Sequence, residues 1–307
     1  MAKKYEELLE EDFIRQIEFN NIKKYHEQGY KGQGITILNA EGSGDHQRMT
    51  SGVIKDYAPD ATLLESVISG RTSGDKVIET TVTINGERLD FEEAIDKYNI
   101  KVVTRSYSGP TPKARLNYFK DIQKRKGVIF VNSAGNDGTA NGVWSKNDTA
   151  ITVSACQIKE GNKLTISYYG SKGEVDFTCF MARGTGTSAA SPALASLIVL
   201  LLNRYGDFNQ EECVEILKSI SMKLPNIEDY KQGWGLPILP LSDELKIIVG
   251  GTPMVFKDVE QDRWSKKAID FCVEKGLMIG FEDGTFRPTE PVTREQIAVI
   301  LERLIKL

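Results

Sequence analysis

Between residues 34 and 202, short apolar runs alternate with stretches whose apolar positions recur every three or four residues. The runs at 34–39, 61–67, 101–107, 127–133 and 150–155 have the length of buried strands. The stretches at 90–98 and 113–126 have the helical period, and residues 192–202 are apolar all round, as in a helix enclosed by a core. Strands alternating with helices predict an α/β fold, a mostly parallel sheet with helices on both faces. Residues 5–28 predict a helix stopped by Gly29, within an N-terminal helical segment over 1–30. Residues 77–89 alternate around Asn85-Gly86, a hairpin signal. This hairpin reads either as an insertion flanking a cleft or as a surface loop. A Gly/Pro-rich stretch at 233–240 closes the main domain. The expected division is a domain over 1–245, a linker over 246–255 and a small helical module over 256–307.

Composition narrows the function. Of 307 residues 40% are hydrophobic, enough to bury a core, and a net charge of −4 speaks against nucleic acid as a partner. Only His26 and His46 are available for histidine chemistry, so a multi-histidine metal site is excluded. His26, in a polar stretch, reads as solvated. Cys156, Cys179, Cys213 and Cys272 form no CxxC pair and predict free buried thiols, with no metal or other cofactor expected. The charged start at 1–11 is followed by no apolar run, so a secretory signal is not expected. No stretch approaches the ~18 apolar residues of a membrane span. Synthesis in the cytoplasm and no membrane partner are the expectations.

Three segments at predicted strand ends suit acyl transfer. Ser188 stands among small residues before the long apolar helix, whose N-terminus favours developing negative charge. Asn136, in Ser133-Ala134-Gly135-Asn136, offers an amide NH₂ as an oxyanion donor, and Asp45-His46 offers a general base. Taken alone, the glycine–threonine–serine turn is a helix cap and Asn136 a turn residue.

Together the segments resemble the subtilisin-like serine proteases, over about residues 30–240 and in the family's order. The resemblance makes Ser188 the nucleophile, His46 the base and Asn136 the oxyanion donor. It makes Ser106, Tyr107, Ser108 and Gly109 the strand that pairs with substrate, with Ser133, Ala134 and Gly135 opposite. It implies a protein or peptide substrate. Two departures stand out. Asn39 occupies the position of the aspartate that orients the histidine, and Gln47 replaces the glycine after it. Losing that charge costs a triad about 10⁴ in kcat. Glu41 is the first candidate for a relocated carboxylate and Asp45 the second. The alternative is a catalytically silent scaffold, and a third reading makes Asn39 a replacement that prevents self-cleavage. About thirty residues precede Gly34, too few for an independent core, so either the chain folds unaided or a folding segment is missing from this sequence.

Phe256, Trp264, Gly276–Gly280, Asp283–Pro288 and Thr293-Arg294-Glu295 resemble an S-layer homology repeat over nearly all of 256–307. The resemblance implies binding of pyruvylated cell-wall polysaccharide. By position, Arg294 holds the anion and Trp264 either stacks on the sugar or packs in the core, the second being favoured. Thr293 reads equally as a helix N-cap. A lone repeat of about fifty residues is marginal by itself, which predicts homo-oligomerisation or support from the protease domain. Wall association without a signal peptide implies release by lysis, carriage on a phage particle or a leader outside this sequence.

Overall fold

The computed structural model describes residues 5–106, 112–136, 138, 149–159, 163–169, 175–181, 184–241, 256–260, 262–274, 277–278, 281 and 285–305. The chain forms two compact units, Met1–Leu241 and Ser242–Leu307. The N-terminal segment is two helices, α1 (Tyr5–Phe19) and α2 (Ile22–Glu27), where one was expected. Asn21 breaks them apart by taking a left-handed backbone, φ 64°. His26 is not free in solvent, since its Nε2 lies 2.8 Å from the Tyr57 carbonyl oxygen.

The alternating region follows the sequence pattern closely. Strand β1 (Thr36–Asn39) leads to α3 (Asp45–Tyr57) and β2 (Thr62–Glu65). A three-stranded antiparallel insert follows: β3 (Ser69–Ser73), β4 (Lys76–Ile84) and β5 (Glu87–Asp90). Asn85 (φ 53°) and Gly86 (φ 82°) make the tight turn between its last two strands. This insert is not a surface decoration, because Val82, Ile84 and Leu89 join Leu38, Phe91 and Phe130 in one core cluster. Asp90 caps α4 (Phe91–Tyr98), accepting the Glu92 N–H at 2.9 Å. Strand β6 (Ile100–Arg105) and α5 (Lys113–Lys126) come next, the helix stopped by Gly127 at φ 67°.

Strands β7 (Ile129–Ser133), β8 (Ile151–Lys159), β9 (Lys163–Tyr168) and β10 (Phe177–Phe180) complete the sheet. Its order is β10-β8-β7-β6-β1-β2, all parallel, with β9 antiparallel on β8. The chain runs from β1 to β2 on one side and then crosses to β6 on the other. The crevice at the carboxyl ends of β1 and β6 is therefore the topological switch point, where such sheets bind ligands.

The long helix α6 (Thr187–Tyr205) runs through the core against α3, β6, β7, β8 and β10. It corrects one expectation: by length and composition this helix is apolar enough to cross a membrane. Its apolar window is 83% buried within the domain, as a core helix requires. Helix α7 (Gln210–Ser219), the short strand β11 (Ser221–Met222), α8 (Asp229–Gln232) and β12 (Leu236–Pro237) close the unit. Arg204 of α6 ties this end to the N-terminal segment. Its guanidinium lies 4.8 Å from the Tyr25 ring and 5.1 Å from the Tyr30 ring, and it donates to the Leu241 carbonyl at 2.8 Å. Cys156, Cys179 and Cys213 are buried free thiols, and Cys272 is half-buried and also free. Burial pushes the Cys156 thiol up to about 12.

The second unit contains α9 (Lys266–Glu274) and α10 (Arg294–Ile305). Phe256, Val259, Ile269 and Phe286 form its small core, the two phenylalanine rings 5.0 Å apart. Asp258 fastens the later loop by accepting the Phe286 N–H at 2.9 Å and the Arg287 N–H at 2.7 Å. The linker expected over 246–255 lies outside the described residues.

Candidate active site

Four segments converge on the β1/β6 crevice. The chain after β1 carries Glu41, which is 5% exposed. Its Oε2 lies 3.1 Å from Nδ1 of His46, the second residue of α3, and its Oε1 accepts the backbone N–H of Ser106 at the end of β6. Burial pushes the Glu41 carboxyl up, opposed by the Ser106 N–H, by His46 and by the Arg105 charge. Of the two carboxylates considered for orienting His46, Glu41 is the one in contact. Asp45 instead pairs with Arg48 on the helix surface.

The Asn39 side chain makes no described hydrogen bond to this pair. Fully buried, it donates through Nδ2 to Thr50 Oγ1 at 2.8 Å and to Ser51 Oγ at 2.9 Å, both on α3. Ser51 donates its own proton to Glu65 Oε1, on the strand where Glu65 is the register partner of Asn39.

Ser188 lies in the first turn of α6. Its Oγ donates to the Ser106 carbonyl at 3.3 Å, and Ser106 Oγ donates to the Ser188 carbonyl at 2.8 Å. Among the described residues no hydrogen bond joins Ser188 to His46. The Asn136 side chain is oriented by Thr187, whose N–H (2.9 Å) and Oγ1 (3.0 Å) both reach Asn136 Oδ1. With that oxygen occupied, Nδ2 is the end of the amide left to donate. Gly186 makes the approach feasible: at φ +71°, a Cβ there would sit 2.9 Å from Asn136 Nδ2.

Ser106, Ser133 and Ala134 are buried at the strand ends and Gly135 is half-buried. Tyr107, Ser108 and Gly109 lie outside the described residues. Sequence reasoning assigned Ser106 to substrate pairing alone and missed its bonds to both Glu41 and Ser188. It gave no role to Thr187, Thr50, Ser51 or Glu65, although the first three lie within the motif segments themselves.

In the second unit, Thr293 does cap α10. It accepts the Gln296 N–H at 3.1 Å while Gln296 Oε1 accepts the Thr293 N–H at 2.7 Å. Arg294 is exposed in the first turn of that helix. Trp264 corrects the expectation of core packing, being 92% exposed. The core position is filled by Phe256 and Phe286 instead.

Comparison with known proteins agrees with this fold. The model of the subtilase family matches residues 34–235, about two thirds of the chain, and that of the S-layer homology domain matches 255–298. Subtilisin DY of Bacillus licheniformis is 24% identical over 231 residues, covering 70% of this chain and 79% of that protein. Outer membrane protein SlpA of Thermus thermophilus is 43% identical over 51 residues, 17% of this chain. The chain spans only 6% of the length of SlpA. Among solved structures, fervidolysin from Fervidobacterium pennivorans, a keratinolytic enzyme related to subtilisin, superposes with a TM-score of 0.52 at 15% identity. That match covers 70% of this chain and 44% of fervidolysin. A lanthipeptide protease superposes with a TM-score of 0.53 at 16% identity, covering 74% of this chain and 92% of its own. At such identities these structures establish the fold.

Proposed function

The chain belongs to the subtilase family, and from that membership we propose that it is a serine endopeptidase whose acyl-enzyme forms on Ser188. The observation that carries the proposal is the 3.1 Å contact between the buried Glu41 carboxylate and His46 Nδ1. A carboxylate there holds the imidazole in the Nδ1–H tautomer and leaves Nε2 free to take a proton. In the reaction, Ser188 Oγ turns from the Ser106 carbonyl toward His46 Nε2, loses its proton there and attacks the peptide carbonyl. The oxyanion accepts from Asn136 Nδ2 and the Ser188 backbone N–H at the start of α6. The amine leaves with the proton from Nε2, and water then cleaves the acyl-enzyme by the same route.

The S-layer homology domain holds this protease on cell-wall polysaccharide, with Arg294 for the acidic group and Trp264 for the sugar face. Exposed apolar residues along α10, among them Ile297, Leu301 and Leu304, support self-association of this unit.

A silent scaffold is the second reading, favoured by the Ser188 hydroxyl resting on the Ser106 carbonyl. Fluorophosphonate labelling decides. Stoichiometric labelling that Ser188→Ala abolishes and Glu41→Gln slows supports the protease; a folded chain that does not label at all is a scaffold.

A further inference from the structure

We propose that Asn39 is a positioning residue whose amide fastens α3, and with it His46, to the end of β1, so that this position requires an amide and not a carboxylate. The catalytic part of this inference rests on the protease reading; the structural part does not.

The direction of the hydrogen bonds carries it. Asn39 is 0% exposed, and both of its described side-chain bonds run outward from Nδ2, to Thr50 Oγ1 and Ser51 Oγ. A hydroxyl has one proton to give. Thr50 gives its proton to the Gln47 carbonyl at 3.0 Å, and Ser51 gives its proton to Glu65 Oε1. Toward Asn39 both hydroxyls therefore present lone pairs, which a group with two N–H donors satisfies and a carboxylate cannot.

An aspartate at this position would have to pull Thr50 off Gln47 and Ser51 off Glu65 to find any donor. Its charged surroundings are unfavourable too. Glu65 is its partner on β2 and Glu41 follows two residues on. The compensating groups are Arg105, next to its β6 partner Thr104, and His46 on α3. The Nδ2 end of Asn39 is thus matched to two acceptors, while its Oδ1 is buried with no hydrogen-bond partner among the described residues, and the carboxylate that faces His46 stands at position 41.

The test uses the full chain with Asn39→Asp, Glu65→Gln and the double variant, melted from pH 4 to pH 8. A buried carboxyl held above its unfolded pKa stabilises only while protonated, and that contribution is lost as pH rises through its folded value. The melting gap between Asn39→Asp and the parent should therefore widen toward pH 8, to on the order of 5 °C. In the double variant, the amide introduced by Glu65→Gln donates to Ser51 and frees the Ser51 proton for the new carboxylate on β1, and at least half of the gap should close. Asn39→Asp as stable as the parent at pH 8, or no recovery from Glu65→Gln, overturns the bond polarity claimed here.

Positioning is read separately, as the fluorophosphonate rate constant per folded molecule across pH. It should fall at least about tenfold in Asn39→Asp. An unchanged rate constant overturns the positioning role, and a faster one shows that position 39 awaits an aspartate. A parent chain that never labels sinks the protease reading alone, and the melting series still decides the structural claim.

Discussion

Ser106 and Ser188 hold each other by two hydrogen bonds, Ser106 Oγ to the Ser188 carbonyl at 2.8 Å and Ser188 Oγ to the Ser106 carbonyl at 3.3 Å. The Ser106 N–H also goes to Glu41. One residue at the end of β6 thus joins the carboxylate that faces His46 to the first turn of α6. The two halves of the candidate site, on either side of the switch point, are held in register through its backbone.

Ser106→Ala removes only the side-chain bond and keeps both backbone bonds. The Ser188 carbonyl, in the first turn of α6, loses this donor in a half-buried setting. A stability loss of about 1 kcal/mol is expected by denaturant melt, with a fluorophosphonate rate within about tenfold of the parent. A loss of labelling by several orders of magnitude would mean that the hydroxyl takes part in the chemistry.

Glu41→Gln separates stability from catalysis. Burial raises the Glu41 carboxyl above its ordinary value, so its ionised form is less welcome in the folded chain than in the unfolded one. Its contribution to stability is present below the unfolded pKa and lost as pH rises through the folded one. Glutamine keeps an acceptor for the Ser106 N–H and carries no charge. The variant should melt above the parent at pH 7 to 8, and the difference should vanish toward pH 4. Labelling at Ser188 should nevertheless drop by about 10³- to 10⁴-fold, because an amide neither stabilises the imidazolium nor selects its tautomer. A variant less stable than the parent at pH 8 would contradict the burial account of Glu41.

The parts of the fold legible in sequence are those set by local chemistry. Gly127 ends α5 where the pattern does, and Asn85-Gly86 turns the hairpin, because each supplies a left-handed backbone at a fixed place. Strand β9 alternates polar Lys163, Thr165 and Ser167 with Leu164, Ile166 and Tyr168, a half-buried strand pattern that a search for continuous apolar runs passes over. In the site, Ser188, His46 and Asn136 sit in motifs, whereas the Ser106 contribution is a backbone N–H and carbonyl that any residue carries. The exposure of Trp264 escapes the sequence for a similar reason. Tryptophan in a fifty-residue unit suggests a core anchor, and only the packing of Phe256 on Phe286 shows the core already filled.

Thr187 and Asn136 form a donor aimed by its neighbour. Asn136→Ala removes the side-chain donor proposed for the oxyanion and should lower kcat by about 10²- to 10³-fold at nearly constant KM, measured on a peptide substrate. Thr187→Val keeps the backbone bond to Oδ1 and deletes the hydroxyl bond, so its effect should be in the same direction and much smaller, within about tenfold. Equal losses in both variants would mean that Thr187 acts directly rather than through Asn136.

Trp264 and Arg294 provide the last test, directed at the second unit. A tryptophan 92% exposed gives the fold little, since its ring is left in water. An arginine in the first turn of α10 sits at the positive end of the helix, where a cation is mildly unfavourable. Neither placement is explained by stability, and both suit an acidic sugar, which a guanidinium at a helix N-terminus attracts and an indole face covers. Trp264→Ala and Arg294→Ala should each leave the melting temperature of the chain within about 2 °C of the parent. Each should weaken co-sedimentation with purified cell-wall polysaccharide by about tenfold, and removal of acidic substituents from the polymer should abolish the difference made by Arg294 alone. Binding unchanged in both variants would move the wall contact elsewhere on the unit. Binding lost together with the melting transition would return Trp264 to a structural role.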